Sequence, residues 1–136
     1  MELDDELIDD FIAESKELGA QMHGLVLQLK QDETQYPLYL EFSNLIDRIY
    51  GTAMTFGFEE FGNYCLAMKV VCKKCGEAEV TRAAKSVLRM MENCVQNLVN
   101  LLKSVREPDA LEKFRNELSL EIKKVQRLEE EVFQFA

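Results

Sequence analysis

The chain has 136 residues and a formal net charge of −9, which arises from 25 acidic and 16 basic side chains. This length suffices for one domain with a hydrophobic core and is too short for two domains of typical size. The acidic balance excludes a basic nucleic-acid-binding face and a polybasic contact with anionic lipid. Two prolines and six glycines are too few turn residues for a many-stranded sheet protein.

Three further features narrow the class of protein. No apolar run approaches the ~18 residues of a membrane span, and the acidic start MELDDELIDD differs from the basic start of a secretory signal. The single histidine, His23, excludes the iron sites and most zinc sites of helical bundles, because these sites need several histidines. His23 lies just off an apolar stripe, so we expect it at the surface.

Apolar residues recur at helical spacing along nearly the whole chain, which predicts five helices. Acidic residues crowd the start of the first helix, where the helix dipole favours negative charge. Pro37 fits the first turn of the second helix, and Gly76 is expected to end the third. The predicted helices cover about residues 4–30, 37–54, 58–76, 78–105 and 108–133.

Short connections between long amphipathic helices predict antiparallel neighbours. We therefore expect residues 1–136 to form one all-α domain. Its core is an antiparallel up-and-down four-helix bundle over about 4–105, with an additional C-terminal fifth helix over about 108–133. Leucine and valine repeat every seven residues in the fifth helix, which fits packing on its own bundle or pairing with a second copy or a partner helix. Glu121 interrupts the companion row.

Four cysteines fall on the apolar stripes, where a free cysteine behaves as a small buried hydrophobe. Cys72 and Cys75 form a CxxC motif, but it ends a helix and is followed by Gly76 where a c-type haem site needs histidine. Helix rise places Cys65 and Cys94 at other levels of the bundle, so four zinc ligands do not converge. We expect no metal and no cofactor, with a redox or metal role as the less favoured alternative. Free buried thiols indicate a cytoplasmic location.

The stretch FSNLIDRIYGTAMTFGFEEFGNY, residues 42–64, resembles the signature region of histidine phosphotransfer domains, the type found at the N-terminus of chemotaxis histidine kinases. That family carries H-x-x-K-G-[ST]-[AS]-x-[TS]-[FL]-G, followed by an apolar residue and acids. The early FIAESKEL, residues 11–18, is similar to the first helix of the family, and the fifth helix resembles the extra C-terminal helix of some members. The signature matches at Gly51, Thr52, Ala53, Thr55, Phe56, Gly57 and Phe58.

The two chemical residues of that signature are replaced. The phosphoryl-accepting histidine aligns with Asp47 and the lysine three residues later aligns with Tyr50, whereas the glycine that clears space near the acceptor remains as Gly51. Receivers that use an aspartate acceptor hold Mg²⁺ through further acids and a lysine. No second acid or lysine stands one turn from Asp47 on its own helix. The resemblance therefore implies a scaffold that is kept and a chemistry that is lost.

The resemblance implies a non-catalytic interaction domain in bacterial, chemotaxis-type two-component signalling. The expected partner is the receiver domain of a response regulator or another signalling protein, docked on the helix pair around Asp47. Tyr50 and Met54 are expected to face outward as anchors. The alternatives are an active phosphorelay protein with Asp47 or His23 as atypical acceptor, and a structural oligomerisation bundle. A carboxylate at position 47 either mimics phosphohistidine or is simply solvated. The expected contact residues are Asn44, Asp47, Arg48, Tyr50, Gly51, Met54, Glu59 and Asn63.

Overall fold

The computed structural model describes residues 5–136, and these residues form five helices and no strand. The predicted all-α class is therefore confirmed for this part of the chain. The predicted end of the first helix and the predicted bounds of the second and fifth helices agree with the structure to within two residues. The predicted helix start at residue 4 and the domain start at residue 1 lie outside the described residues. The helices are α1 (Asp5–Gln31), α2 (Tyr36–Thr55), α3 (Glu59–Glu77), α4 (Ala84–Ser104) and α5 (Pro108–Phe135).

The turn between α2 and α3 is closed by Gly57. Its φ of +82° is a left-handed conformation that glycine adopts without a steric penalty. The backbone N–H of Phe58 donates to the Ala53 carbonyl at 2.9 Å, and that of Gly57 donates to the Met54 carbonyl at 3.2 Å. These two bonds satisfy carbonyl groups at the end of α2 and reverse the chain within three residues.

The end of α3 differs from the prediction, since the helix continues through Gly76 to Glu77. It ends in the same type of turn as α2, with Glu79 at φ +50° and the Val80 N–H donating to the Cys75 carbonyl at 3.1 Å. The next helix begins at Ala84, about six residues later than predicted. The prediction included residues 78–83 in the helix because the apolar Val80 continues the helical spacing of apolar residues. In the structure Val80 is buried, but it lies in a turn.

Gly76 serves the packing of α3 on α2 rather than helix termination. A Cβ built at Gly76 would lie 3.0 Å from the Leu40 side chain and 3.0 Å from the backbone carbonyl oxygen of Tyr36. The missing side chain therefore lets the backbones of the two helices approach closely.

The fifth helix lies on one side of the other four. It packs against α3 and α4, and among the described residues it does not pack against α1 or α2. The Phe114 ring of α5 contacts the Phe61 ring of α3 with 6.1 Å between centroids. On the remaining sides, α1 packs against α2 and α4, so no further helix within residues 5–136 covers the outer face of α2.

We predict that Gly76→Ala destabilises the protein. A methyl group at this position meets backbone oxygen as well as a leucine side chain, and such overpacking costs about 1–3 kcal/mol in the free energy of unfolding. The matched variant is Gly24→Ala within α1, where a Cβ has no heavy atom within 4 Å. Because alanine favours helix over glycine, Gly24→Ala should be more stable than the original by roughly 1 kcal/mol. Urea unfolding measures both, and equal effects of the two substitutions would contradict the close approach at Gly76.

Candidate functional site

The predicted contact residues on α2 and α3 lie at the surface, apart from Tyr50, which is half-buried. Asp47 is on the outward side of α2 with 53% of its side chain exposed. The fifth helix does not reach this position, because it packs on α3 and α4 only. Position 47 is thus accessible from solvent.

Asp47 forms an ion pair that the sequence analysis missed. Its Oδ1 accepts a hydrogen bond from Nζ of Lys69 on α3 at 2.8 Å. The prediction considered only residues one turn away on the same helix, whereas Lys69 comes from the neighbouring helix. The hairpin offered a signal, since Asp47 lies ten residues before Gly57 and Lys69 lies twelve residues after it. The backbone of Lys69 is held close to α2, because its carbonyl accepts a bond from the Ser43 hydroxyl at 3.3 Å.

Met54 and Tyr50 cover a glycine of α3. A Cβ built at Gly62 would lie 2.5 Å from Sδ of Met54 and 3.7 Å from Cδ2 of Tyr50. The space left by Gly62 lets Met54 lie across α3 while 38% of it stays exposed. Tyr50 packs beside it against the core, so it does not project outward as expected.

Leu66 adds a second exposed apolar side chain that the sequence analysis did not include. It is 42% exposed and lies one turn after Gly62 on α3. Tyr50 lies one turn before Met54 on α2, so the register places Leu66 and Tyr50 side by side. The signal was an apolar residue off the buried stripe of α3. We use the name α2–α3 surface for Asp47, Tyr50, Met54, Leu66 and Lys69.

An open groove between α1 and α2 borders Asp47 on the side away from Lys69. The groove has one further acid, Glu14 of α1, and its floor includes half-buried Phe56. No group of three or more His, Cys, Asp or Glu side chains within residues 5–136 is arranged to hold a metal ion. The Asp47 carboxylate therefore has a lysine partner without an acidic cluster around it. The lining residues are Glu14, Asp47, Arg48, Gly51, Thr52, Thr55 and Phe56.

His23 is exposed on α1 and lies away from Asp47. It is one turn from Gly19, where a Cβ would lie 3.1 Å from the Leu98 side chain of α4. This places His23 toward α4, whereas the groove beside Asp47 is lined from α1 by Glu14. The structure therefore does not bring His23 to the α2–α3 surface.

All four cysteines are free and buried, as the apolar stripes predict. Burial raises the pKa of each thiol, to about 12 for Cys75 and Cys94. The charge of a Cys94 thiolate also contributes to the raised pKa of Cys65 and Cys72, after burial.

We predict that the four thiols do not react with an aromatic disulfide reagent near pH 8 while the protein is folded. Reaction requires the thiolate and access to it, and burial removes both. All four should react after unfolding in denaturant. Because the folded pKa values exceed the ordinary value of 9.0, stability should be unaffected by these thiols below pH 9 and should fall as the pH rises from about 9 toward 12. A thiol that reacts rapidly in the folded protein would contradict the buried placement.

Comparison of the chain with protein-family models, curated proteins and solved structures finds no match. None of the described helices combines the length and the apolar character needed to cross a membrane.

Proposed function

We propose that the chain is a non-catalytic docking domain, a degenerate form of the histidine phosphotransfer domains that its sequence resembles, and that it binds the receiver domain of a response regulator. The observation that carries this proposal is the uncovered α2–α3 surface, in which apolar side chains lie beside an ion pair at the position aligned with the phosphoryl acceptor. The setting is bacterial chemotaxis-type two-component signalling. The buried free cysteines support a cytoplasmic location, where thiols stay reduced.

The proposed architecture is an antiparallel up-and-down four-helix bundle with α5 added on one side. Contacts between α2 and α3 support it, because residues later in α2 meet residues earlier in α3. Two ion pairs relate α1 and α4 in the same way: Lys30 of α1 pairs with Glu92 of α4, and Asp9 of α1 pairs with Arg106 in the turn that follows α4. The contacts between α2 and α3 join Leu40 to Gly76, Asp47 to Lys69 and Met54 to Gly62.

The make-up of the α2–α3 surface supports docking. Protein interfaces combine apolar or aromatic groups at their centre with polar groups at the rim. Met54, Tyr50 and Leu66 supply apolar area here, and the Asp47–Lys69 pair lies at one end of them. Exposed apolar side chains that lie together are a stronger indication of a contact surface than isolated ones.

The surroundings of Asp47 support a loss of phosphoryl chemistry. Transfer to an aspartate needs a divalent cation held by several acids to balance the charge of the phosphoryl group. The groove beside Asp47 supplies Glu14 as its other acid, and the nearby cations are Lys69 and Arg48. The lysine is the one feature that favours the alternative of an active relay through Asp47.

We predict that an isolated receiver domain binds the protein and that Met54→Glu weakens this binding by at least about tenfold, because a charge enters the apolar centre of the interface. The matched control is Leu120→Glu on α5, which makes the same change of charge at a side chain that is 61% exposed. It should leave binding unchanged. Calorimetric titration of receiver domains into the three proteins measures the effect.

The same proteins should gain no phosphoryl group when they are incubated with a phosphorylated receiver or a small phosphodonor and weighed intact. A gain located on Asp47 or His23 would overturn the non-catalytic proposal in favour of an active relay. Failure of every receiver to bind, together with self-association that depends on concentration in sedimentation, would favour the oligomerisation bundle instead.

A further inference from the structure

In the Asp47–Lys69 ion pair, the lysine keeps hydrogen-bond donors that are free to contact a partner. A lysine ammonium has three N–H donors, and one of them binds Oδ1 of Asp47. Two donors remain for another molecule, and one third of the Lys69 side chain is exposed. The pair as a whole is neutral, although the chain carries a net charge of −9. The negative charge of the whole molecule therefore repels an acidic partner, and this repulsion is weaker at the neutral ion pair.

We propose that Lys69 is the residue that contacts the partner's acceptor site, where its ammonium binds the carboxylates of that site. This inference rests on the proposed function, because it concerns how a receiver is recognised at the same surface. An aspartate acceptor site holds Mg²⁺ through several acids, so without the ion it is strongly anionic. An ammonium group is complementary to such a site, whereas the Asp47 carboxylate is repelled by it.

The position of Lys69 fits this role better than that of Lys73, the next lysine along α3. Its backbone is fixed against α2 by the hydrogen bond from Ser43, so its ammonium emerges beside Asp47 at the end of the apolar group. Lys73 lies one turn further along α3 and is more exposed, but it pairs within its own helix with Glu77, 3.8 Å away. Lys69 alone of these two lysines bridges α2 and α3.

Two consequences follow from an ammonium that binds the partner's acids. The Asp47 carboxylate competes for Lys69 and so weakens docking. Magnesium ions compete for the same acids of the partner, and they should weaken docking as well. If recognition were instead centred on Asp47, loss of its carboxylate would weaken docking rather than strengthen it.

The test uses a metal-free receiver domain that binds the original protein, with the dissociation constant measured by calorimetry. Lys69→Met, which keeps an apolar stem and removes the charge, should weaken binding by about tenfold. Lys73→Met makes the same change of charge one turn away and should alter binding by less than about twofold, as rim charges do. Asp47→Asn should bind at least as tightly as the original. Thermal unfolding of each variant checks that the fold is retained.

Millimolar Mg²⁺ should weaken binding of the original protein and leave Lys69→Met unaffected. Lys69→Arg, which keeps the positive charge, should retain most of the affinity. If Lys69→Met binds as well as the original, or if Asp47→Asn loses binding, the role of Lys69 is overturned while receiver docking stands. If the original protein binds no receiver domain, the proposed function falls and the role of Lys69 falls with it.

Discussion

The close approach of α2 and α3 determines the register on which the surface chemistry depends. Gly76 supplies it near the end of α3, since a side chain at this position would meet the backbone of Tyr36 as well as the Leu40 side chain. Dense packing tolerates little extra volume, so Gly76 restricts how the two helices slide along each other. That register brings Lys69 to Asp47 and places Met54 across Gly62. A slip by one turn would separate the ion pair.

The placement of α5 gives the molecule a covered side and an open side. The fifth helix closes the α3–α4 side, above a buried hydrogen bond in which the Asn97 amide donates to the Tyr64 hydroxyl at 3.0 Å. Glu121 lies half-buried in this seam, with one carboxylate oxygen buried and unbonded, so the interruption of the apolar row has a local cost. Because α5 packs on α3 and α4, it does not cover the outer face of α2.

Periodicity predicted most of the fold, because the helices are long and amphipathic. Periodicity gave the wrong boundary between α3 and α4, because spacing does not reveal the packing or turn role of a single residue. Gly76 suggests a helix end, but its role is to admit Tyr36 and Leu40 of another helix. Position 79 has the left-handed conformation that glycine usually occupies at a helix end, but the residue there is Glu79. The sequence therefore gives no glycine signal for the true end of α3.

The sequence predicted some residues of the α2–α3 surface and missed others, because contacts between helices depend on their register. A sequence read one helix at a time identifies outward positions such as Asp47 and Met54. It does not identify partners contributed by the neighbouring helix, such as Lys69, unless the register of the hairpin is worked out. Leu66 was missed because an apolar residue off the stripe carries no meaning until its exposed neighbours are known.

Hydrogen exchange of backbone amides, with and without a bound receiver domain, tests most directly whether the open α2–α3 side is the docking side. Docking on this side should slow exchange within residues 44–69 and leave exchange in α5 unchanged. Slower exchange confined to α5, or no change within 44–69 when the receiver is bound, would contradict it.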